Sequence, residues 1–476
     1  MKFKSLRIFV LFIVTTFVYV EAQTTPAYWK YATTPPLGWN SWDIFGTTVT
    51  ESQVKEQADA MNEYLLPSGY KYLTVDIQWY EPESKDYNYN PKATLTMDEY
   101  GRLTPGLKKF PSAAGNKGFK PLADYVHSKG LKFGIHIMRG VPRQAVEQNT
   151  PVFGTSIRAQ DIAIKSSTCP WNPDMYGVDA TKPQGQAYYN SIFEMYANWG
   201  VDYVKVDDIA RPYDKVQKAE IEAIRKAIDK TGRPIVLSLS PGATPISEGE
   251  HVMNHANLWR IADDFWDKWE LLKPMFGLQD AWTPYRGPGH FPDADMLPLG
   301  VIGFNRHTNF SKDEQYTLMS LWAISRSPLI FGGDMTKLDD FTKALLTNPE
   351  MLKVNQESTN NHQVYRNHDL IVWTADVPNS PDKYIALFNA QSKGDTADFP
   401  NTGNTASQKM NDSVKNDTTD IPVANDVRIN FNTIGIKGKA RVRDLWSHTD
   451  LGVFEGEFSR TLRQHAAGLY RISPVR

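Results

Sequence analysis

One cysteine, Cys169, occurs in 476 residues, so no intrachain disulfide can form and the fold must be held by packing. Neither sign of charge dominates. The chain has 52 Lys and Arg against 54 Asp and Glu, a formal net charge of −2. A nucleic-acid partner would require a basic stripe, so none is expected. None of the ten histidines falls in a His-x-His or His-Glu-x-x-His spacing, which argues against a zinc site of the usual sequence pattern. An oxygen-only Mg²⁺ or Ca²⁺ site stays open on that ground. The N-terminal apolar stretch, residues 8–20, is shorter than the about 20 residues a membrane span needs. It follows Lys2, Lys4 and Arg7 and precedes the small-residue site Val20-Glu21-Ala22. Residues 1–22 therefore read as a cleavable leader, with an uncleaved anchor as the alternative. The mature chain is expected to be exported, periplasmic or secreted, with no membrane association after cleavage. A lone thiol suits a bacterial periplasm better than a disulfide-stapled secretory protein.

What the chain does have is apolar and aromatic mass. Hydrophobic residues make up 41%, enough for a large core, and 13 Trp and 22 Tyr offer flat faces that suit sugar rings. From residue 36 to about 334, short apolar runs alternate with amphipathic segments. Candidate strands fall at 37–42, 70–77, 131–137, 201–206, 234–239, 257–261, 295–299 and 328–331. Between them, Val54, Ala58, Met61 and Leu65 share one helical face in 50–66, opened by a Thr50/Gln53 capping box. Ile221, Ile224 and Ile228 stripe a helix over 218–230 that Gly232 closes. Eight strand-then-helix units imply parallel strands closed into a (β/α)8 TIM barrel; a doubly wound open sheet is the alternative. Past residue 349 the helical period fades into six short β runs, an antiparallel β-sandwich in which 391–420 is a polar loop. The expected division is 1–22, 23–349 and 350–476.

A barrel carries its chemistry at the C-terminal ends of its strands. Those ends hold Asp43, Asp76, His136, Arg139, Lys205, Asp207, Asp208, Ser240, Arg260, Asp263, Asp264, Asp293 and Asp295. Carboxylates crowded on one rim raise one another's pKa, and interspersed cations lower it again, so that an ionised and a protonated acid can coexist. Such a rim serves either metal-assisted hydrolysis or the two-carboxylate cleavage of a glycoside. Trp39, Trp42, Trp79 and Trp266, placed at the rim by this reading, favour a sugar.

Several segments resemble glycoside hydrolase family 27, the α-galactosidase family. They are Pro36-Leu37-Gly38-Trp39-Asn40-Ser41-Trp42, Lys205-Val206-Asp207, Trp259-Arg260-Ile261-Ala262-Asp263-Asp264, Asp293-Ala294-Asp295-Met296-Leu297 and Ser327-Pro328-Leu329-Ile330-Phe331-Gly332-Gly333-Asp334. The likeness continues at Val442-Arg443-Asp444-Leu445-Trp446 and His465-Ala466-Ala467-Gly468-Leu469, in order over nearly the whole mature chain. It implies an exo-acting retaining enzyme without a cofactor or metal. Asp207 would be the nucleophile and Asp264 the acid/base, ~5–5.5 Å apart, with the adjacent Asp263 as the alternative acid. Trp42, Asp76, His136, Lys205, Ser240 and Arg260 would bind substrate; for Trp42 plain core is the other reading.

The family's α-galactosidases end strand two in consecutive Asp residues that grip the axial and primary hydroxyls; here the pair is Asp76-Ile77. His136 stands where a Tyr is usual, and Ser240 with Ala243 where a Glu reads the 2-hydroxyl. The family's commonest activity makes an α-D-galactosyl oligosaccharide or polysaccharide the default substrate. The lost contact would suit a β-L-arabinopyranoside, the small pair an α-N-acetylgalactosaminide. A sugar-binding barrel without turnover is the alternative of another class. No oligomeric state follows from the sequence.

Overall fold

The computed structural model describes residues 25–391 and 424–475. The expected leader, 1–22, lies outside the described residues, as does all of the expected polar loop beyond Gln391.

Eight parallel strands form the first sheet: β1 (Leu37–Asn40), β2 (Tyr72–Val75), β3 (Lys132–Met138), β4 (Tyr203–Asp207), β5 (Val236–Leu239), β6 (Leu258–Arg260), β7 (Phe291–Asp293) and β8 (Leu329–Phe331). Their spatial order is β7-β6-β5-β4-β3-β2-β1-β8, and the sheet curls into a barrel. A helix follows each strand: α1 (Glu51–Tyr64), α2 (Lys120–Ser128), α3 (Pro183–Trp199), α4 (Lys215–Thr231), α5 (Gly249–Met253), α6 (Trp269–Ala281), α7 (Lys312–Ile324) and α8 (Asp340–Thr347). Strands such as β2, buried at all four residues, show no polar alternation because helices cover one face and the barrel interior the other. The two helix signals read from sequence form as expected. Thr50 and Gln53 complete a reciprocal capping box. Gly232 ends α4 at φ 68°, a conformation that favours glycine.

The seventh strand is a correction. It lies at Phe291–Asp293, earlier than the expected 295–299. Asp295 has φ 86°, which breaks the extended run, and Pro298 has no N–H for a ladder. Leu297 still bridges to β8, donating its N–H to the Ile330 carbonyl at 2.8 Å, and so closes the barrel between β7 and β8.

After one more helix, α9 (Pro349–Glu357), the chain turns antiparallel. The strands are β9 (Thr359–Asn367), β10 (Leu370–Asp376), β11 (Lys383–Asn389), β12 (Asn425–Asn430), β13 (Lys439–Asp444), β14 (Thr449–Glu455), β15 (Glu457–Leu462) and β16 (Ala467–Pro474). Six pair in the order β9-β10-β11-β16-β13-β14, and β12 pairs with β15. Period-2 geometry splits the larger sheet between two cores. Ile371, Trp373 and Ala375 pack with the barrel, whereas Val372 packs with Val427, Ile429 and Phe458 of the small sheet. Across the first junction Phe276 meets Phe388 edge-on at 5.0 Å and Trp446 donates to Ser320 Oγ at 2.9 Å. β14 and β15 were missed in the sequence because most of their residues face solvent.

Candidate active site

At the C-terminal ends of the strands lies a cavity of about 330 Å³, within the size range of small-ligand sites. Asp207 and Asp264 both line it, with Trp42, Asp76, Lys205 and Arg260. Parallel register explains the convergence. His136 pairs with Lys205, and Met138 with Asp207, on adjacent strands. Lys205 and Asp207, two residues apart on β4, point to the same face.

Asp207 is held from both sides. Its Oδ1 accepts from the Asp208 backbone N–H at 2.7 Å, and its Oδ2 lies 2.8 Å from His136 Nε2. A carboxylate only accepts, so this contact assigns the imidazole proton to Nε2. His136 is fully buried and does not line the cavity, and its contact holds the Asp207 carboxylate from beneath. Ser240 is likewise 1% exposed and off the wall, where the following Pro241 takes its place. Trp39 and Trp79, expected at the rim, are core, donating to the carbonyls of Gly333 and His136.

Behind Asp207, Arg139 fixes the loop that follows β4. It pairs with Asp208 at 2.9 Å and Glu220 at 2.9 Å, and its Nε donates to the Asp208 carbonyl at 2.6 Å. Asp208 is thus an ion-paired support carboxylate, although burial still pushes it up to about 7. Asp263 pairs with Arg211 at the cavity wall.

Asp264 is different. Its side chain is 39% exposed, and its cation contact is a loose one, Arg260 at 3.5 Å. Arg260 is instead engaged by Asp295 at 2.8 Å. Enclosure in the cavity raises the pKa of Asp264; Arg260 opposes this, while Asp295 and Asp207 push it further up. Asp76 moves the other way: burial would raise it, but Lys205 at 3.0 Å, His136 and an Asn40 amide at 2.7 Å lower it. Lys205 is held as a cation, because Asp76 and Asp207 outweigh the effect of burial. The cavity therefore contains a carboxylate–lysine pair, a carboxylate on β4 clamped in place and a carboxyl past β6 whose pKa is raised.

Further residues complete the cavity, of which sequence reading places Ile77 and Asp43 at strand ends but not Tyr89 or Trp171. Ile77 forms wall beside Asp76. Tyr89 and Trp171, from long connections with no period to read, cover the cavity with rings 5.0 Å apart, and Tyr89 stacks on Trp42 at 6.1 Å. Asp43 also lines it, with an Oδ2 that has no hydrogen-bond partner. Burial first, then Asp295, raises its pKa well above the ordinary carboxylate value. A Cβ on Gly332 would come within 1.9 Å of that oxygen, so only glycine leaves room for it.

Asp207, clamped by two donors, and Asp264, whose pKa is raised, share a sugar-sized, aromatic-walled cavity at the C-terminal face of a barrel, the arrangement of a glycoside hydrolase. The particular family follows from comparison: the chain belongs to the alpha galactosidase A family, glycoside hydrolase family 27, whose profile matches residues 34–184 and 174–357, with the alpha galactosidase C-terminal beta sandwich domain matching 367–472. It is 29% identical to an alpha-galactosidase of Cyamopsis tetragonoloba over 93% of this chain and 86% of that one. It is 30% identical to an alpha-N-acetylgalactosaminidase of Gallus gallus over 68% and 71% of the two chains. Among solved structures, a family 27 β-L-arabinopyranosidase from Geobacillus stearothermophilus superposes with TM-score 0.87 at 47% identity, covering 95% of this chain and 99% of that one.

Proposed function

We propose that this glycoside hydrolase is a retaining β-L-arabinopyranosidase. The observation that carries the reading is Ile77 in the cavity wall next to Asp76. β-L-Arabinopyranose has the ring and hydroxyl arrangement of α-D-galactose without the hydroxymethyl carbon. Where the family's galactosidases hold the primary hydroxyl with a second Asp, Ile77 offers only methyl groups. A hydroxyl buried there without a partner costs about 1–3 kcal/mol, and a substrate that lacks it avoids that cost. The 47% identity to the Geobacillus stearothermophilus β-L-arabinopyranosidase, a variant of which is solved in complex with arabinose, supports the same reading. The galactoside default drawn from the family's commonest activity gives way to it.

In this reading Asp207 attacks the anomeric carbon while Asp264 gives its proton to the departing glycosidic oxygen. Water then enters, loses a proton to Asp264, and breaks the ester to Asp207, so the product keeps the anomeric configuration. Asp76 and Lys205 hold ring hydroxyls, and Trp42 faces the sugar. The test is a kinetic panel of nitrophenyl glycosides. The β-L-arabinopyranoside should exceed the α-D-galactoside and the α-N-acetylgalactosaminide by at least about tenfold in kcat/KM. Either rival leading by that margin overturns the reading.

A pH dependence follows from the raised pKa of Asp264. The step that needs its proton is fully available below that pKa and is lost as pH rises through it, so kcat/KM should have an alkaline limb. In Asp264→Asn the limb should vanish. Substrates with a dinitrophenol leaving group, which need little protonation, should lose less than about tenfold in glycosylation rate, and alkyl arabinopyranosides more than about a thousandfold. An alkaline limb unchanged in the variant would assign the proton to another group.

A further inference from the structure

We propose a divalent transition-metal site on the outer wall of the barrel, built by Glu222, His251 and His255 and fitted to Zn²⁺. Glu222 lies on α4, His251 on α5, and His255 one turn further on, where its N–H still bonds the Val252 carbonyl at 3.1 Å. The four-residue spacing puts both imidazoles on one face, a pattern that a search for His-x-His does not find. One oxygen or nitrogen from each of the three lies within 4.8 Å of the others, and all three residues are half-buried.

One ring proton is fixed by its partner, and the other has a partner that can take it on the same side. His255 Nδ1 lies 2.7 Å from the His251 carbonyl, which only accepts, so that nitrogen carries the proton and Nε2 is left with a free lone pair. His251 Nδ1 is 2.8 Å from the Tyr213 hydroxyl. Donation to that oxygen frees His251 Nε2 in the same way, and histidines that bind metal are fixed by this kind of contact through their other nitrogen. His251 Nε2 is buried and makes no hydrogen bond; Glu222 Oε1 stands 3.6 Å away, too far for one. The two rings lie face to face, 4.3 Å between centroids and 33° apart. Lys226, the cation nearest to Glu222, is no closer than 3.6 Å to its other oxygen, and Lys218 is engaged by Glu248 at 2.7 Å. Two lone pairs and a carboxylate thus converge with no donor between them.

Bonds of about 2.0–2.1 Å in a tetrahedron set ligand atoms about 3.3 Å apart, so the His251–Glu222 edge needs to shorten by only a few tenths of an ångström. Two imidazoles and one carboxylate suit Zn²⁺, and other late divalent ions by the same donors, but not Ca²⁺ or Mg²⁺, which seek oxygen. Water would take the fourth position. None of the three residues lines the sugar cavity. Such an ion would brace α4 against the segment after β5, which carries the cavity residue Pro241, and would hold Tyr213 close behind Arg211. Its role is structural, and it is independent of which sugar is cleaved.

The test uses the full chain after chelator treatment and dialysis, titrated with zinc sulfate and followed by elemental analysis and thermal unfolding. One equivalent should bind with Kd below about 10 μM and raise Tm by about 2 °C or more at saturation. Cobalt chloride in place of zinc should give the visible absorption of a four-coordinate ion. His251→Ala/His255→Ala should lose the equivalent, and Glu222→Gln, a near-isosteric change at a half-exposed position, should weaken it about tenfold or more; His362→Ala, an exposed histidine elsewhere, should keep it. Binding of less than about half an equivalent at 100 μM zinc, or an equivalent retained with unchanged Kd in both the double variant and Glu222→Gln, overturns the site.

Discussion

Asp207→Asn should lower kcat on nitrophenyl β-L-arabinopyranoside by a factor on the order of 10⁴ or more while the protein stays folded, because the substitution deletes the attacking oxygen and little else. The side chain keeps its size, and its amide oxygen can still accept from the Asp208 N–H. What changes is the contact with His136: the amide nitrogen replaces the oxygen that lay 2.8 Å from its Nε2, and two donors then face each other unless the ring moves its proton to Nδ1. Circular dichroism and thermal unfolding close to wild type, with activity gone, would separate loss of chemistry from loss of fold. Asp207→Gly carries the prediction further. Removing the side chain opens space for azide on the face that the carboxylate attacked, and one displacement by azide gives a glycosyl azide of inverted configuration. Recovery of turnover with that product fixes Asp207 as nucleophile. Azide rescue with inversion in Asp264→Gly, and none in Asp207→Gly, would mean that the roles are exchanged.

How much of this was legible in the sequence depends on which force placed each residue. The barrel was readable because its strands and helices carry their own signals: continuous apolar runs, the Thr50 cap, the Ile221-Ile224-Ile228 stripe, and Gly232 past the helix end. The seventh strand was misplaced by a few residues because Asp295 bends the chain after a three-residue strand, and no periodicity reveals a bend that short. Strand ends also placed Asp207 and Asp264 at one cavity, since position on a barrel strand determines where a side chain points. His136 shows the limit of that argument. Its register with Lys205 put it in the barrel interior, but which neighbour it bonds depends on packing depth, and it lies beneath the sugar cavity and not in its wall. The aromatic cover from Tyr89 and Trp171 was hidden for a different reason: both come from long irregular connections, whose paths are set by tertiary contacts. Glu222 joins His251 and His255 only through packing, because it lies on α4 and the pair on and just past α5.

Ile77→Asp should shift the substrate preference toward the galactoside. In the wild type, Ile77 is 2% exposed yet forms cavity wall beside Asp76, so its surface is turned to substrate and core with almost none left to bulk solvent. A carboxylate at that position can accept from the primary hydroxyl of galactose; with an arabinopyranoside bound it has no such donor. Discrimination by a buried polar group of this kind exceeds what an added methylene gives, because the wrong substrate leaves the group unpaired. The galactoside should gain about 10- to 100-fold in kcat/KM and the arabinopyranoside lose about as much. Lys205 is already engaged by Asp76 at 3.0 Å and cannot neutralise a second carboxylate fully, so part of the gain should depend on pH. A new buried carboxylate titrates upward when it lacks a partner, and galactoside hydrolysis should improve as pH rises until it ionises. Ile77→Asn removes that charge while keeping hydrogen-bonding capacity, and its galactoside activity should lack this rise. If the galactoside fails to gain in either variant while Asp207-dependent arabinopyranoside turnover survives, Ile77 does not face the fifth carbon of the ring, and the arabinopyranosidase reading loses the observation that carries it.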